Sequence, residues 1–455
     1  MPRLSSVALV NQSFPAGFRW GIAAAAPQIE GAAREDGKGE SNWDHFAAQP
    51  GRIAHGDTPA VACDHYHRYK SDIALMRRLG VRNYRLSVAW PRVIPDGDGA
   101  VNSRGLDFYK RLLDALQDAG ITPFVTMFHW DLPQALEAVG GWRVRRTPEA
   151  FARYADTIVR ELGDRVRHWI TLNETSCFTR QAYGGAMRPP ALDEPEQVIN
   201  QAYHHALLAH GHGVRAVREH GTRSSEVGIT DDSRICIPVI DNDANVAAAR
   251  RAFREDNIRV LDPILGGGYG AAYRRLTGRD AARIHPSDTP LISQSIDFLG
   301  LNIYTANFVR RGLSGRPEQL PLPPSYPAAD SPWLRLTPAA LHWGPRLAHE
   351  VYGVRRIYVT ENGAGYDDAP PVNGEVLDLH RREYVRQCLG ELHRTIAAGI
   401  PVAGYFLWSF MDNFEWADGY TRRFGIVHND FSTQRRTPKL SARWYAEVMR
   451  RNRLV

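Results

Sequence analysis

The chain is expected to fold as a single α/β domain, a (β/α)8 (TIM) barrel with extended βα loops forming its mouth. Three observations predict this. Short apolar runs alternate with longer amphipathic ones eight times, no composition break or linker divides them, and polar and aromatic residues gather where the apolar runs end. At 455 residues, 43% hydrophobic and 23% charged, the chain can bury a large core, and one barrel with insertions fits that length as well as several smaller domains would. The barrel is placed over residues 1–455, with 1–13 as a short N-terminal extension.

The expected strands are Phe18–Ala23, Val81–Val88, Ile121–Phe128, Val166–Leu172, Val227–Asp231, Ile296–Ile303, Arg356–Glu361 and Val402–Trp408. Helical patterns follow them at Tyr66–Leu79, Gly105–Ala119, Pro148–Leu162, Pro195–His220, Ala244–Leu261, Pro338–Tyr352, Leu377–Ala398 and Pro438–Arg450. An open doubly wound sheet would carry a glycine-rich phosphate turn after its first strand, and Gly21-Ile22-Ala23-Ala24-Ala25-Ala26 does not supply one. Two segments, Phe308–Ser331 and Phe410–Thr437, are long for plain connections. They follow the sixth and eighth strands, at the end where barrels of this kind place their chemistry.

The formal charge of +6 and pI near 9.1 suggest a nucleic-acid surface only if the charge is clustered. The basic residues are nearly all dispersed arginines, with Lys38, Lys70, Lys110 and Lys439 the only lysines, so no nucleic-acid partner is expected. Cys63, Cys177, Cys236 and Cys388 form no C-x-x-C pair, which argues against a zinc site or a disulfide framework and fits a reducing compartment. No signal peptide and no apolar run of membrane-spanning length is visible, so a cytoplasmic protein without membrane partners is expected, and a homo-oligomer stays open.

The seventh strand is the most informative. Arg356-Ile357-Tyr358-Val359-Thr360 is a β-branched and aromatic run that stops on Glu361, followed by Asn362-Gly363, a pair that favours a turn. A carboxylate there is costly unless something nearby uses its charge. The other strand ends carry comparable groups: Gln28 and Glu30 after the first, Arg85 in the second, Phe128-His129-Trp130-Asp131 at the third, Asn173-Glu174 at the fourth, Asn302-Ile303-Tyr304 at the sixth and Trp408 at the eighth. Acids, amides and indoles in one cleft suit a neutral polyhydroxylated ligand, whose hydroxyls take the polar groups while its C–H faces stack on the rings. Each has a plainer reading: His129, Trp130 and Trp408 are also core residue types, and Arg85 could serve a structural ion pair. Two glutamates facing one cavity are harder to explain structurally, and they match the acid and nucleophile that glycosidic cleavage needs.

The chain resembles the β-glucosidases of glycoside hydrolase family 1, the retaining β-glycosidases of clan A, from about Phe14 to its C-terminus. The motifs that carry the resemblance are Gln28-Ile29-Glu30-Gly31-Ala32, Cys63-Asp64-His65-Tyr66-His67-Arg68-Tyr69, Tyr84-Arg85-Leu86-Ser87, His129-Trp130-Asp131-Leu132-Pro133, Thr171-Leu172-Asn173-Glu174, Thr360-Glu361-Asn362-Gly363 and Asp412-Asn413-Phe414-Glu415-Trp416. The resemblance implies Glu174 as acid/base and Glu361 as nucleophile, held by Arg85 and Tyr304. It implies a sugar site of Gln28, His129, Trp130, Asn173, Tyr304, Glu415, Trp416 and Phe424, with Trp408 as stacking floor and Trp333 on the aglycone wall. It implies no cofactor or metal, a small-molecule β-glycoside as substrate, and a place in cellulose and polysaccharide breakdown. Glu361 is expected to be ionised, its pKa lowered by Arg85 and Tyr304, and Glu174 to be protonated.

Departures from the family pattern are Thr175 for a proline, Pro27 before Gln28, Ile303 for an aromatic, a loop Tyr183-Gly184-Gly185-Ala186-Met187-Arg188-Pro189-Pro190 without the customary Ala-Pro-Gly ending, and Asp231-Asp232 for Leu-Asn. A 6-phospho-β-glycosidase is disfavoured because Glu415-Trp416 is intact and an anion at Glu415 would repel phosphate. A myrosinase-like site lacks the acid that Glu174 provides, and a silent glycan-binding barrel would normally have lost one of the two glutamates. Histidines 65, 67, 204, 205, 210 and 212 invite a metal reading, but the helix around Tyr203–Arg218 offers them no facing carboxylate at ligand spacing.

Overall fold

The computed structural model describes residues 12–455, so positions 1–11 of the proposed N-terminal extension lie outside the described residues. Eight parallel strands close into a barrel: β1 (Arg19–Ala23), β2 (Asn83–Ser87), β3 (Thr122–Phe128), β4 (His168–Asn173), β5 (Glu226–Asp231), β6 (Phe298–Asn302), β7 (Ile357–Asn362) and β8 (Val402–Trp408). Each strand pairs with its neighbours in sequence, and β1 closes the ring on β8 with Ala23 opposite Trp408. β2, β4 and β7 are buried along their whole length, as parallel strands covered on both faces should be.

The covering helices are α1 (His65–Arg78), α2 (Ser103–Asp118), α3 (Arg146–Leu162), α4 (Glu196–His220), α5 (Asp243–Asn257), α6 (Ala340–Tyr352), α7 (Leu379–Ala397) and α8 (Leu440–Arg451). In α3 the inward stripe is Phe151, Tyr154, Ala155, Ile158, Val159 and Leu162, at helical spacing. The expected helix over Ala244–Leu261 is interrupted. The Asn257 side chain accepts from the Arg234 N–H at 2.7 Å and donates to the Arg234 carbonyl at 3.1 Å, which ends α5, and a separate short helix spans Leu261–Leu265.

Both long connections contain structure that the sequence reading did not anticipate. Ala306–Arg311 and Pro317–Leu320 pair antiparallel, with Arg310 opposite Glu318, and Ile235–Pro238 from the β5–α5 connection adds a parallel third strand. After β8, Val427–Asp430 and Arg435–Pro438 form a second hairpin. The Asn362-Gly363 pair is also not a turn. Asn362 stays in β7, and glycine is needed next because a Cβ there would lie 1.8 Å from the Trp408 carbonyl oxygen where β7 and β8 converge.

An aromatic layer plugs the barrel below the strand ends. Phe124 stacks on His168 at 4.1 Å and meets Phe406 and Tyr358 edge-on at 4.7 and 5.4 Å. Desolvation in this layer pushes the His168 imidazole down to about 4. Behind the loop after β8 lies a buried ionic cluster. Lys439 Nζ, at the entrance to α8, donates to Asp368 at 2.5 Å and Asp412 at 2.7 Å, while Arg381 reaches Asp368 at 2.6 Å and Arg423 reaches Asp412 at 2.9 Å. These contacts tie α7, α8 and the loops after β7 and β8 into one wall. Among the described residues no helix is long and apolar enough to cross a membrane.

Candidate active site

The C-terminal ends of the strands bring the two glutamates into one hydrogen-bonded network. Arg85, wholly buried on β2, donates through Nη1 to Glu361 Oε1 and through Nη2 to Asn173 Oδ1 at 2.5 Å. The Tyr304 hydroxyl donates to Glu361 Oε2 at 2.8 Å. Asn302, at the end of β6, donates to Glu174 Oε1 at 2.6 Å and Asn173 Oδ1 at 3.1 Å. Glu174 leaves β4 with φ of 52°, a left-handed backbone that directs its carboxyl back across the barrel mouth.

Burial, the largest influence, and the Glu361 charge, with Asp232 behind it, push the Glu174 carboxyl up to about 8. The Glu361 carboxyl is also raised, which corrects the expectation that Arg85 and Tyr304 would lower it. Burial outweighs Arg85, Tyr304 and Asn302. Glu361 still ionises ahead of Glu174, because Arg85 and Tyr304 bond to it and not to Glu174. One anion and one proton are therefore shared between the two acids, with the proton on Glu174.

A polar wall stands beside them. Asn173 Nδ2 donates to His129 Nε2 at 3.1 Å, and burial followed by the charges of Arg85 and Arg188 holds His129 neutral. With both of its oxygen contacts taken by Arg85 and Asn302, the second Asn173 N–H is left for a ligand. Gln28 Nε2 donates to the Phe414 carbonyl at 2.9 Å and to Asn413 Oδ1 at 3.1 Å, while its buried Oε1 accepts nothing from the described residues. Glu415 lies 3.4 Å from Gln28 Nε2, and loss of solvation followed by the Asp418 charge raises its carboxyl to about 8.

The rings line the remainder. Trp408 lies parallel to His129 at 5.9 Å, and Trp416 contacts both His129 at 6.1 Å and Trp130 at 4.4 Å. The Trp130 N–H is committed to the Asn173 carbonyl at 2.9 Å, so Trp130 offers a ring face rather than a donor. Trp333, half exposed, stacks on Phe424 at 6.5 Å, and both meet Tyr304 edge-on at the rim. All thirteen sequence-assigned positions thus fall on one cleft, counting Asn173 and Tyr304 once each.

Other strand-end groups serve the scaffold. Glu30 pairs with Arg92 at 2.8 Å and Tyr109 at 2.7 Å. The helix histidines are spent on structural bonds: His205 on the Trp142 carbonyl and His210 on Thr171. His204 does have a facing carboxylate, contrary to expectation, but it comes from outside its helix: Asp288, 2.9 Å away.

Four contributors had no assigned role in the sequence reading. Asn302 donates to Glu174 Oε1, Cys177 donates from Sγ to Glu174 Oε2 at 3.1 Å, Asp232 stands 3.7 Å from Cys177 Sγ, and the Arg188 guanidinium lies 4.1 Å over Trp130. Arg188 and Asp232 occupy positions where the sequence departs from the family pattern, and that departure was the available signal.

An acid pair of this kind, at the C-terminal mouth of a (β/α)8 barrel and walled by amides and indoles, defines a glycoside-cleaving class of enzyme. The chain belongs to glycosyl hydrolase family 1, whose family model matches residues 10–454. It is 38% identical over 444 residues to beta-glucosidase A of Thermotoga maritima, covering 97% of this chain and 99% of that one. It is 45% identical over 461 residues to thermostable beta-glucosidase B of Thermobispora bispora, covering 99% and 93%. The solved structure of the Thermotoga maritima beta-glucosidase in complex with glucoimidazole superposes with a TM-score of 0.89 at 38% identity, covering 97% of this chain and all of the other.

Proposed function

We propose that the chain is a retaining, exo-acting β-glucosidase that removes terminal β-D-glucosyl residues from aryl and alkyl β-glucosides, cellobiose and short oligosaccharides. The observation that carries this reading is the Glu361–Arg85–Asn173–Asn302–Glu174 network, with Arg85 and Tyr304 on one acid and neither on the other. In a retaining pair the two carboxyls stand about 5–5.5 Å apart, which leaves no room for water to attack from the opposite face.

Glu361, ionised beside Arg85, attacks the anomeric carbon as Glu174 passes its proton to the departing oxygen, giving a glucosyl ester. The ester carries no charge, so the repulsion holding the Glu174 proton falls away. Glu174 then takes a proton from the incoming water, which displaces Glu361. The free Asn173 N–H meets the sugar 2-hydroxyl, a bond that strengthens as positive charge builds at the ring. Gln28 Oε1 accepts from a hydroxyl farther round the sugar, with Glu415 beside it and Trp408 beneath the ring. Four cysteines without disulfide partners support a reducing, cytoplasmic setting.

The test is labelling with a 2-fluoro β-glucoside. The adduct belongs on the peptide containing Glu361 and is absent from folded Glu361→Gly; label on any other peptide overturns the reading. Glu174→Ala should cost alkyl glucosides far more than dinitrophenyl glucoside, since only the former need a proton on the leaving oxygen.

A further inference from the structure

The end of β5 presents an acid directly behind the Glu174 side chain. Glu174, Cys177 and Asp232 each place an oxygen or sulfur within 4.8 Å of the others. The contacts run in a definite order. Cys177 Sγ donates to Glu174 Oε2 at 3.1 Å and lies 3.7 Å from Asp232 Oδ2, and the same Oδ2 accepts from the Ser176 hydroxyl. Asp232 thus grips two successive residues of the short turn Thr175–Phe178 that follows Glu174.

We propose that Asp232 is a positioning residue for the hydrolytic reaction: it orients the Glu174 turn through Ser176 and Cys177, and its carboxylate, close behind Glu174, keeps the proton there until the leaving oxygen takes it. The inference rests on the reading of Glu174 as the acid. Glu174 is faced by Glu361 from β7, by Asn302 and Tyr304 from β6 and its continuation, by Glu415 from the loop after β8, and by Cys177 from its own turn. Arg188 stands beyond Cys177, and Tyr203 of α4 feels the Asp232 charge. Asp231 turns away to the Ser233 hydroxyl at 2.6 Å. Burial and the charges of Glu361 and Asp232 favour the protonated acid, while Asn302 and Cys177 donate to its ionised form.

Unlike Glu361, Asp232 keeps its charge when the glucosyl ester forms. It therefore also sustains the basicity of Glu174 in the second half of the reaction.

Asp232→Asn removes the charge and keeps the shape and an acceptor for Ser176 and Cys177. With an alkyl β-glucoside, the alkaline limb of kcat/KM should move down by about one pH unit, giving about tenfold lower activity above the limb and a change under about twofold near pH 6. With 2,4-dinitrophenyl β-glucoside, whose leaving group needs no proton, the profile should stay as in the unaltered protein. Asp232→Glu restores the charge and should restore the limb. An unmoved limb in Asp232→Asn, or an equal loss in both variants at every pH, overturns the proposal. An alkaline limb that persists in Glu174→Ala overturns the assignment of Glu174 itself, and the inference with it.

Discussion

Tyr304→Phe isolates one hydrogen bond on the Glu361 anion. The ring contacts with Trp333 and Phe424 and the bond from the Tyr384 hydroxyl to the Tyr304 carbonyl do not involve the Tyr304 hydroxyl, so a phenylalanine keeps them. Only the 2.8 Å bond to Glu361 Oε2 is removed. A hydrogen bond to a charged group contributes about 1.5–3 kcal/mol. Arg85 and Asn302 remain, so the lower end applies, and about 1.4 kcal/mol corresponds to one pKa unit. The hydroxyl favours the ionised carboxyl, so its removal makes Glu361 hold its proton more tightly. The acidic limb of kcat/KM on 4-nitrophenyl β-glucoside should therefore move up by about one pH unit. The rate of inactivation by a 2-fluoro glucoside, which reports the attack of Glu361 alone, should move with it. A limb that stays put or shifts to lower pH would refute the reasoning, as would a shift in kcat/KM without one in inactivation.

Three further outcomes follow from the same geometry. Glu174→Gln should stabilise the fold near pH 7: the folded carboxyl titrates at about 8 against 4.5 unfolded, so its stabilising neutral form is fully present below about pH 4.5 and the fold loses stability as pH rises toward 8. The gain at pH 7 is of the order of 3 kcal/mol, or about 3 °C in melting temperature, and should vanish near pH 4. Lys439→Met removes the cation that Asp368 and Asp412 share and leaves each with a single arginine, at a cost of about 3 kcal/mol, a fall of about 3 °C, and an unchanged melting temperature would contradict the ionic wall. Trp333→Ala should raise KM for aryl glucosides about fivefold and leave methyl glucoside hydrolysis alone, since the ring stands at the rim rather than beneath the sugar.

The barrel was legible because parallel strands covered on both faces read as continuous apolar runs, and all eight strands fall within two residues of their expected limits. The hairpins after β6 and β8 were not, since Pro317 and the glycines around them disguise pairing as irregular chain. Within the site, residues at strand ends could be placed because the barrel topology collects those ends. Cys177, Asp232 and Arg188 lie in turns and loops beyond the strands, where no periodicity says which way a side chain points. The raised Glu361 carboxyl was missed for a different reason. Its partners are visible in sequence, but the depth of burial that outweighs them is a property of the packed barrel.

Lys439 places a condition on the order in which the wall is completed during synthesis. All eight barrel strands and both glutamates precede it in the chain, yet this ammonium group joins Arg423 behind the loop that carries Asp412 and, three residues on, Glu415. Until Lys439 has left the ribosome and docked, Asp368 has only Arg381 and Asp412 only Arg423 as a permanently charged partner, and the cation that joins the two is missing from the wall behind Glu415 and Trp416. All eight strands of the barrel are therefore made before the cation that links the loops after its last two strands is in place.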